Sequence, residues 1–280
     1  MEAVKRLARV AALTCLAALA GAAQPRVVFV TGDDEYRSEY SMPMMARILE
    51  ARHGMRTAVA YARPTPQSAN NIEGLEALKT ADLAVFYLRW RELPEAQLRL
   101  ILDYTNSGKP LAGLRTTTHA FRYPKGHQRE PLNDGFGIDV FGQKWIRHHG
   151  STSTTDVYIA TAAAHPILRG IASSFSVRSW LYVVRPLHGD CVPLLTGEAV
   201  NARGPDAGSQ PVVWAKTYKG ARVFFTTLGH PEDFQVASVR RLVVNGILWA
   251  LGREVPSGGA AADPVEPYEP PAAGVPKAAP

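Results

Sequence analysis

The stretch RVVFVTGDDEYRS, residues 26–38, decides the fold class. Val27, Val28, Phe29 and Val30 form an unbroken apolar run, and a strand that is apolar on both faces is covered on both faces, as in a parallel sheet under helices. Gly32 ends the run, and the polar segment Asp33-Asp34-Glu35-Tyr36-Arg37-Ser38 follows. Working outward, the same signature returns as AVAY within 56–61, LAVFYL within 82–88 and LAGL within 110–115. Amphipathic stretches separate these strands: one over 42–52 that ends at His53-Gly54, and one over 94–107 opened by Pro94 and closed by Gly108. The alternation predicts a β-α-β-α-β-α-β order, hence an α/β fold with a mostly parallel central sheet.

The second half predicts strands over 155–160, 180–184, 193–196, 211–216 and 221–226, then a helix over 235–251. There Val236, Val239, Val243, Ile247 and Leu251 recur at intervals of three and four and mark one buried face. No internal repeat is present, so one domain over 25–253 is expected. Residues 254–280 hold seven prolines among Gly and Ala, a composition that predicts a disordered, partly polyproline tail.

With 280 residues, 46% hydrophobic and 20% charged, the chain is neither a disordered polymer nor a small disulfide-stapled domain. Its first 23 residues combine Lys5, Arg6 and Arg9 with an apolar run from Val10 to Ala20 and the small residues Ala20-Gly21-Ala22. This is the pattern of a secretory signal peptide, too short to span a bilayer, and it predicts a periplasmic or secreted protein with no stable membrane insertion after cleavage. A lipid anchor on Cys15 is the weaker rival. Without residues 1–23 the net charge falls from +6 to +4, and Cys191 is left as the single cysteine. No intrachain disulfide or Cys-rich zinc site follows from that count. The scattered Lys and Arg give no electrostatic case for a nucleic-acid partner.

In an open parallel sheet, ligands bind beyond the carboxyl ends of the strands. That rule selects Asp34, Glu35 and Tyr36 after the first strand, Arg89 and Trp90 after the third, and Arg115, Thr116 and His119 after the fourth. Two later segments add His148 and His149 within WIRHHG, and His230 with Asp233 within LGHPEDF. A histidine beside carboxylates can act as a general base or a metal ligand, since imidazole titrates near neutrality. Tyr36, Trp90, Phe121, Trp145 and Tyr182 are candidate platforms for a sugar ring. The structural alternatives are equally concrete: Asp33, Asp34 and Ser38 as helix caps, solvated arginines, and histidines held in hydrogen bonds. There is no HExxH, paired CxxC, Walker loop or GxGxxG, so no cofactor is required by the sequence, while a divalent metal stays open.

Taken together, TGDDEYRSEYSMP, LPEAQLRLILDYTNSGKPLAGLRTTTHAF, IRHHG, HPILRGI, ARVFFTTLGHPEDF and RLVVNGILWALG resemble the ThuA-like (trehalose-utilisation) family, over about residues 26–252. The resemblance implies a flavodoxin-like, class I glutamine amidotransferase-like three-layer sandwich and a role in carbohydrate metabolism. In such amidotransferases a strand-to-helix elbow carries a cysteine nucleophile. The corresponding turn here, Gly113-Leu114-Arg115-Thr116-Thr117, puts Arg115 at that position. A guanidinium stays protonated and cannot attack, so no thiol-dependent glutaminase activity is expected.

A planar fork of N–H donors can bind a substrate oxygen, so Arg115, with Arg89, is expected as a clamp there, and Glu35, His149 or His230 with Asp233 as the proton-transfer groups. The ligand expected is a small carbohydrate derivative, a keto-sugar or its glycoside, bound also by Asp34, Tyr36, Trp90, Thr116, His119 and His148. Two alternatives stand beside this enzyme: a non-catalytic carbohydrate-binding or assembly module, and a metal-dependent hydrolase.

Overall fold

Phe29 and its neighbours form an interior strand of the sheet, buried on both faces as their hydrophobicity requires. The computed structural model describes residues 24–150, 152–160, 164–203 and 208–274. The signal peptide expected over 1–23 therefore lies outside the described residues. In chain order the elements are β1 (Arg26–Gly32), α1 (Ser38–His53), β2 (Arg56–Ala62), β3 (Ile72–Glu73), β4 (Leu83–Leu88), α2 (Glu95–Asn106), β5 (Leu111–Leu114) and α3 (Leu132–Phe136). There follow β6 (Arg147–His149), β7 (Thr154–Ile159), β8 (Ser174–Val177), β9 (Leu181–Val183), β10 (Val192–Val200), β11 (Gln210–Tyr218), β12 (Ala221–Thr226) and α4 (Ala237–Ala250).

One mixed sheet runs in the order β3-β2-β1-β4-β5-β12-β11-β10-β7-β8, and β6 pairs with β9 in a separate ribbon. Strands β2, β1, β4, β5 and β12 are mutually parallel. Renumbered among themselves they read 2-1-3-4-5, a doubly wound order whose direction reverses between β1 and β4. The remainder is antiparallel, which corrects the expectation of a mostly parallel sheet. Where the antiparallel part meets the parallel part the cause is local: Lys219 (φ 51°) and Gly220 (φ 81°) both take the left-handed conformation that a two-residue hairpin demands, so β11 and β12 must run opposite ways. A second correction concerns the segment between β2 and β4. It is no α-helix but a 3-10 turn over Leu75–Thr80, whose buried Leu75 and Leu78 fall three residues apart, the repeat of that tighter helix.

Side chains of the parallel strands alternate between two cores. Val27, Phe29, Val85, Tyr87 and Leu114 pack with α1 and α4 on one side. Val28, Val30, Phe86 and Leu88 pack with Leu98, Ile101 and Tyr104 of α2 on the other. The approach of α4 depends on Gly246, where an added Cβ would stand 2.5 Å from the Phe224 ring.

Residues 254–274 are not the disordered tail that their composition predicts. They lie across α4 as an irregular strap, with Val255, Ala260 and Ala262 buried. The helix supplies the donors and acceptors that an irregular chain lacks. Asn245 Oδ1 accepts from Ala260 N at 2.9 Å, Arg240 Nε donates to Ala262 O at 2.8 Å, and Arg241 Nε donates to Ala260 O at 3.1 Å. Farther on, Tyr268 Oη donates to Pro231 O at 3.2 Å, and Gly274 N reaches Glu35 O at 2.7 Å. Removing residues 254–280 exposes this apolar strip and strands the buried Asn245 acceptor. The expected loss is about 2–4 kcal/mol of unfolding free energy; an unchanged thermal midpoint would show that the strap contributes no stability.

Candidate active-site cleft

The carboxyl ends of β1, β4, β5 and β12 lie side by side, and the turn after β5 is the sharpest. Leu114 is extended (φ −123°, ψ 137°), whereas Arg115 has φ 41° and starts a single 3-10 turn over Arg115–His119. A left-handed arginine costs of order 1–3 kcal/mol and is held only by its surroundings. Those surroundings are tight. On the facing loop Gly229 (φ 154°) leaves a gap in which a Cβ would meet Tyr87 Oη at 2.6 Å and Arg115 Cβ at 3.3 Å.

Arg115 is completely buried. Its Nη1 donates to Thr227 O at 2.8 Å and Trp180 O at 3.3 Å, and its Nη2 donates to Tyr36 Oη at 3.0 Å. The guanidinium carbon lies 4.1 Å from the Tyr36 ring centre and 4.6 Å from that of Tyr182. No carboxylate among the described residues pairs with it, and Nε has no partner. Arg115 is therefore not the open clamp on a substrate oxygen that its position suggests. Tyr36 seals it from above, and its influence on the cleft is through its field.

Around this buried charge runs an arc of rings. Trp90 meets His119 at 5.7 Å between centroids, His119 meets Trp145 at 5.4 Å, and Trp145 meets His148 at 6.1 Å. His148 then meets Trp180 at 5.0 Å, Trp180 meets Tyr36 at 6.3 Å, and Tyr36 meets His230 at 6.1 Å. Phe121 is not part of it, being packed in the core on Phe136 at 5.0 Å.

Strand alternation separates the two adjacent histidines. In the β6–β9 ribbon His148 stands opposite Tyr182 and His149 opposite Leu181. Cross-strand partners share a face. Tyr182 faces Arg115, so His148 faces the cleft, while His149 shares the face of Leu181, a member of the α1/α4 core. His149, expected as a proton-transfer group, therefore stands away from the cleft, and His148 is the histidine of the pair that faces it.

Burial and nearby positive charge favour the neutral form of all three imidazoles of the arc. Burial, then the positive charges of Arg89 and Arg115, press His119 well below the ordinary histidine range. Burial and Arg115 lower His148, which Glu35 partly offsets. His230 falls to about 3 through burial, Arg115 and Arg178. Its Nδ1 accepts from Glu232 N at 3.2 Å, which leaves the ring proton on Nε2 as a donor.

The acidic residues divide into three roles. Glu35 is a quarter exposed and pairs with Arg89 Nε at 2.9 Å. Asp34 holds Arg89 at 3.3 Å and Arg91 at 3.8 Å. Asp33 is buried at the sheet edge, accepts from Tyr36 N at 2.6 Å and from Thr116 Oγ1, and is pushed by burial to about 6. Thr116 is thereby occupied in tying the turn after β5 to the loop after β1. Asp233 has no exposure and accepts from Arg178 N, Ser179 N, Ser179 Oγ, Gly229 N and His230 N. With its lone pairs engaged by five donors it fixes loops, and the role in proton transfer expected for it is corrected to a structural one. Trp180 and Asp33 complete the site without having been singled out for it. Asp33 was legible as a cap, while the placement of Trp180 depends on a ribbon distant in sequence.

Among the described residues no three His, Cys, Asp or Glu side chains gather in a group that holds a metal ion.

Asp233→Ala takes the acceptor from Arg178 N, Ser179 N and Ser179 Oγ and leaves Gly229 N and His230 N with Ser179 Oγ alone, so a destabilisation of about 3 kcal/mol or more is expected in denaturant unfolding; a loss under 1 kcal/mol would contradict the loop-fixing role. The depressed imidazoles bind protons more readily when unfolded. His230, His119 and His148 therefore each withdraw stability as pH falls below about 6.5, the window for His230 running down to about 3. Asp33, raised to about 6, opposes this over one proton between its unfolded value and about 6. NMR titration should find His119 and His230 uncharged at pH 5; midpoints near 6.5 would refute the burial, and the added charge of Arg115, assigned to them.

The comparisons agree with this architecture. Crystal structures of proteins described as ThuA-like, from Bacteroides uniformis ATCC 8492 and from Parabacteroides merdae ATCC 43184, each superpose with a TM-score of 0.59 at 17% identity. The matches cover 84% and 86% of this chain and 95% and 98% of those chains, which establishes a shared fold. No significant match is found among curated proteins. The family model described as ThuA, trehalose utilisation, matches residues 26–250. The strand order, the elbow at Arg115 and the terminal helix all fall within those limits, and the chain belongs to the ThuA family.

Proposed function

We propose that the cleft at the carboxyl edge of the sheet binds a carbohydrate derivative and carries out acid–base chemistry on it. The observation that carries this reading is a solvent-reachable carboxylate, Glu35, paired with Arg89 at 2.9 Å where that guanidinium lies 3.6 Å from the Trp90 ring centre, at one end of the arc of aromatic rings that holds His148. Aromatic faces stack on the apolar faces of sugar rings, and Trp145 and Trp180 flank His148 for that purpose. An enzyme is favoured over a plain binding module by where the backbone is strained. Arg37, Trp90 and Arg115, with φ of 54°, 50° and 41°, follow β1, β4 and β5 at this one edge. Strain of that kind gathers where geometry must be held for function.

The chemistry that suits these groups is enolisation beside a carbonyl, as in a keto-sugar or its glycoside. Glu35 takes the proton from the carbon next to the carbonyl, and the C–H electron pair moves toward the carbonyl oxygen. A neutral N–H of His148 or His119 donates to that oxygen as negative charge develops, and the unpaired charge of Arg115 lowers the energy of the anion through the low-dielectric wall. A neutral imidazole fits this donor role because its N–H is not lost at working pH. The amidotransferase-like, flavodoxin-like scaffold belongs to the same reading and is supported by the 2-1-3-4-5 strand order. With Arg115 at the elbow, glutaminase chemistry does not. A periplasmic or secreted setting is supported by the leader pattern over 1–23.

Purified protein incubated with disaccharides and their keto derivatives, followed by product mass, tests the reading. Glu35→Gln should lower turnover at least about 100-fold with little change in thermal midpoint, and His148→Phe should do the same. Full activity in Glu35→Gln would end the acid–base assignment. Binding without turnover across the panel would leave a carbohydrate-binding module.

A further inference from the structure

Next to the ring arc, and sharing Arg89 and Trp90 with it, opens a cleft of about 550 Å³ whose other lining residues include Asp34, Gln67, Arg122 and Lys125. That size suits a small-molecule site. Its cations are not equivalent. Arg89 is matched by Asp34 and Glu35. Arg91, nearly buried, donates to the carbonyls of Arg89, Pro66 and Ser68 and lies near Asp34. Arg122 has no carboxylate partner among the described residues, and its guanidinium carbon rests 5.0 Å from the Trp90 ring centre. Lys125, also exposed, likewise stands outside the ion pairs. The exposed Glu92 lines the same mouth and is the carboxylate an incoming anion must avoid.

We infer that this cleft is a subsite for an acidic sugar residue, a uronate, joined to the sugar held in the ring arc; the inference rests on the carbohydrate reading above. Arg122 offers the planar fork that meets a carboxylate through two parallel N–H bonds, and Trp90 braces that fork by lying against it. Lys125 adds a second, mobile charge at the rim. Gln67 supplies an amide for ring hydroxyls. The shared wall of Arg89 and Trp90 places the subsite one sugar along from Glu35, so the protein selects a disaccharide with the uronate beyond the reacting sugar.

Isothermal titration of the purified protein with a glucose–glucuronate disaccharide and with its neutral glucose–glucose counterpart tests this. The acidic sugar should bind about tenfold more tightly at low salt, with the margin shrinking as ionic strength rises. Arg122→Gln with Lys125→Gln should remove the margin and leave neutral affinity unchanged. Both side chains are on the surface, and an unchanged thermal midpoint verifies the fold. Equal affinity for the two sugars, or a preference that survives the double substitution, overturns the subsite while the carbohydrate reading stands. Failure of both sugars to bind at millimolar concentration overturns the two together.

Discussion

A guanidinium buried without a carboxylate is the constraint on which this site depends. Removing an ionised group from water is costly, and proteins ordinarily offset the cost with an opposite charge. Here Arg115 is met instead by two main-chain carbonyls, the hydroxyl of Tyr36 and the faces of Tyr36 and Tyr182. These partners bind the ion without cancelling its charge, so its field extends to His119, His148 and His230 and helps keep each of them neutral.

The same side chain ties together segments that are far apart in sequence. Tyr36 follows β1, Trp180 precedes β9 and Thr227 follows β12, and all three converge on one guanidinium. Asp233 does the complementary work for the loops behind it, joining residues 178–179 to residues 229–230. A cation and an anion thus organise the cleft without pairing with one another. The arrangement differs from a thiol-bearing elbow in kind: a cysteine acts by forming a bond, whereas this arginine adds its positive charge to the burial that favours neutral imidazoles in front of it.

Much of the scaffold was readable one residue at a time. The apolar runs of β1, β2, β4 and β5 and the periodic valines of α4 announce themselves because burial on two faces or on one stripe leaves a direct trace in composition. The 3-10 turn over Leu75–Thr80 was missed because a run that short has no sustained period to read. The strap over 254–274 was missed for another reason. Its prolines and alanines bury little surface, and its order derives from Arg240, Arg241 and Asn245, polar residues on a helix whose need for partners is visible only when the helix is in place.

The site divides along the same line. By itself the sequence determined which residues stand at the strand ends, because loop position follows from where apolar runs stop, and it determined that no thiol occupies the elbow. It also determined family membership, through the order of its segments. Only the tertiary structure decided that Arg115 is sealed rather than open, that His148 and not His149 enters the cleft, and that Asp233 is saturated by main-chain donors. Burial, strand facing and hydrogen-bond saturation are properties of what surrounds a residue, and those surroundings come from parts of the chain that the local sequence does not contain.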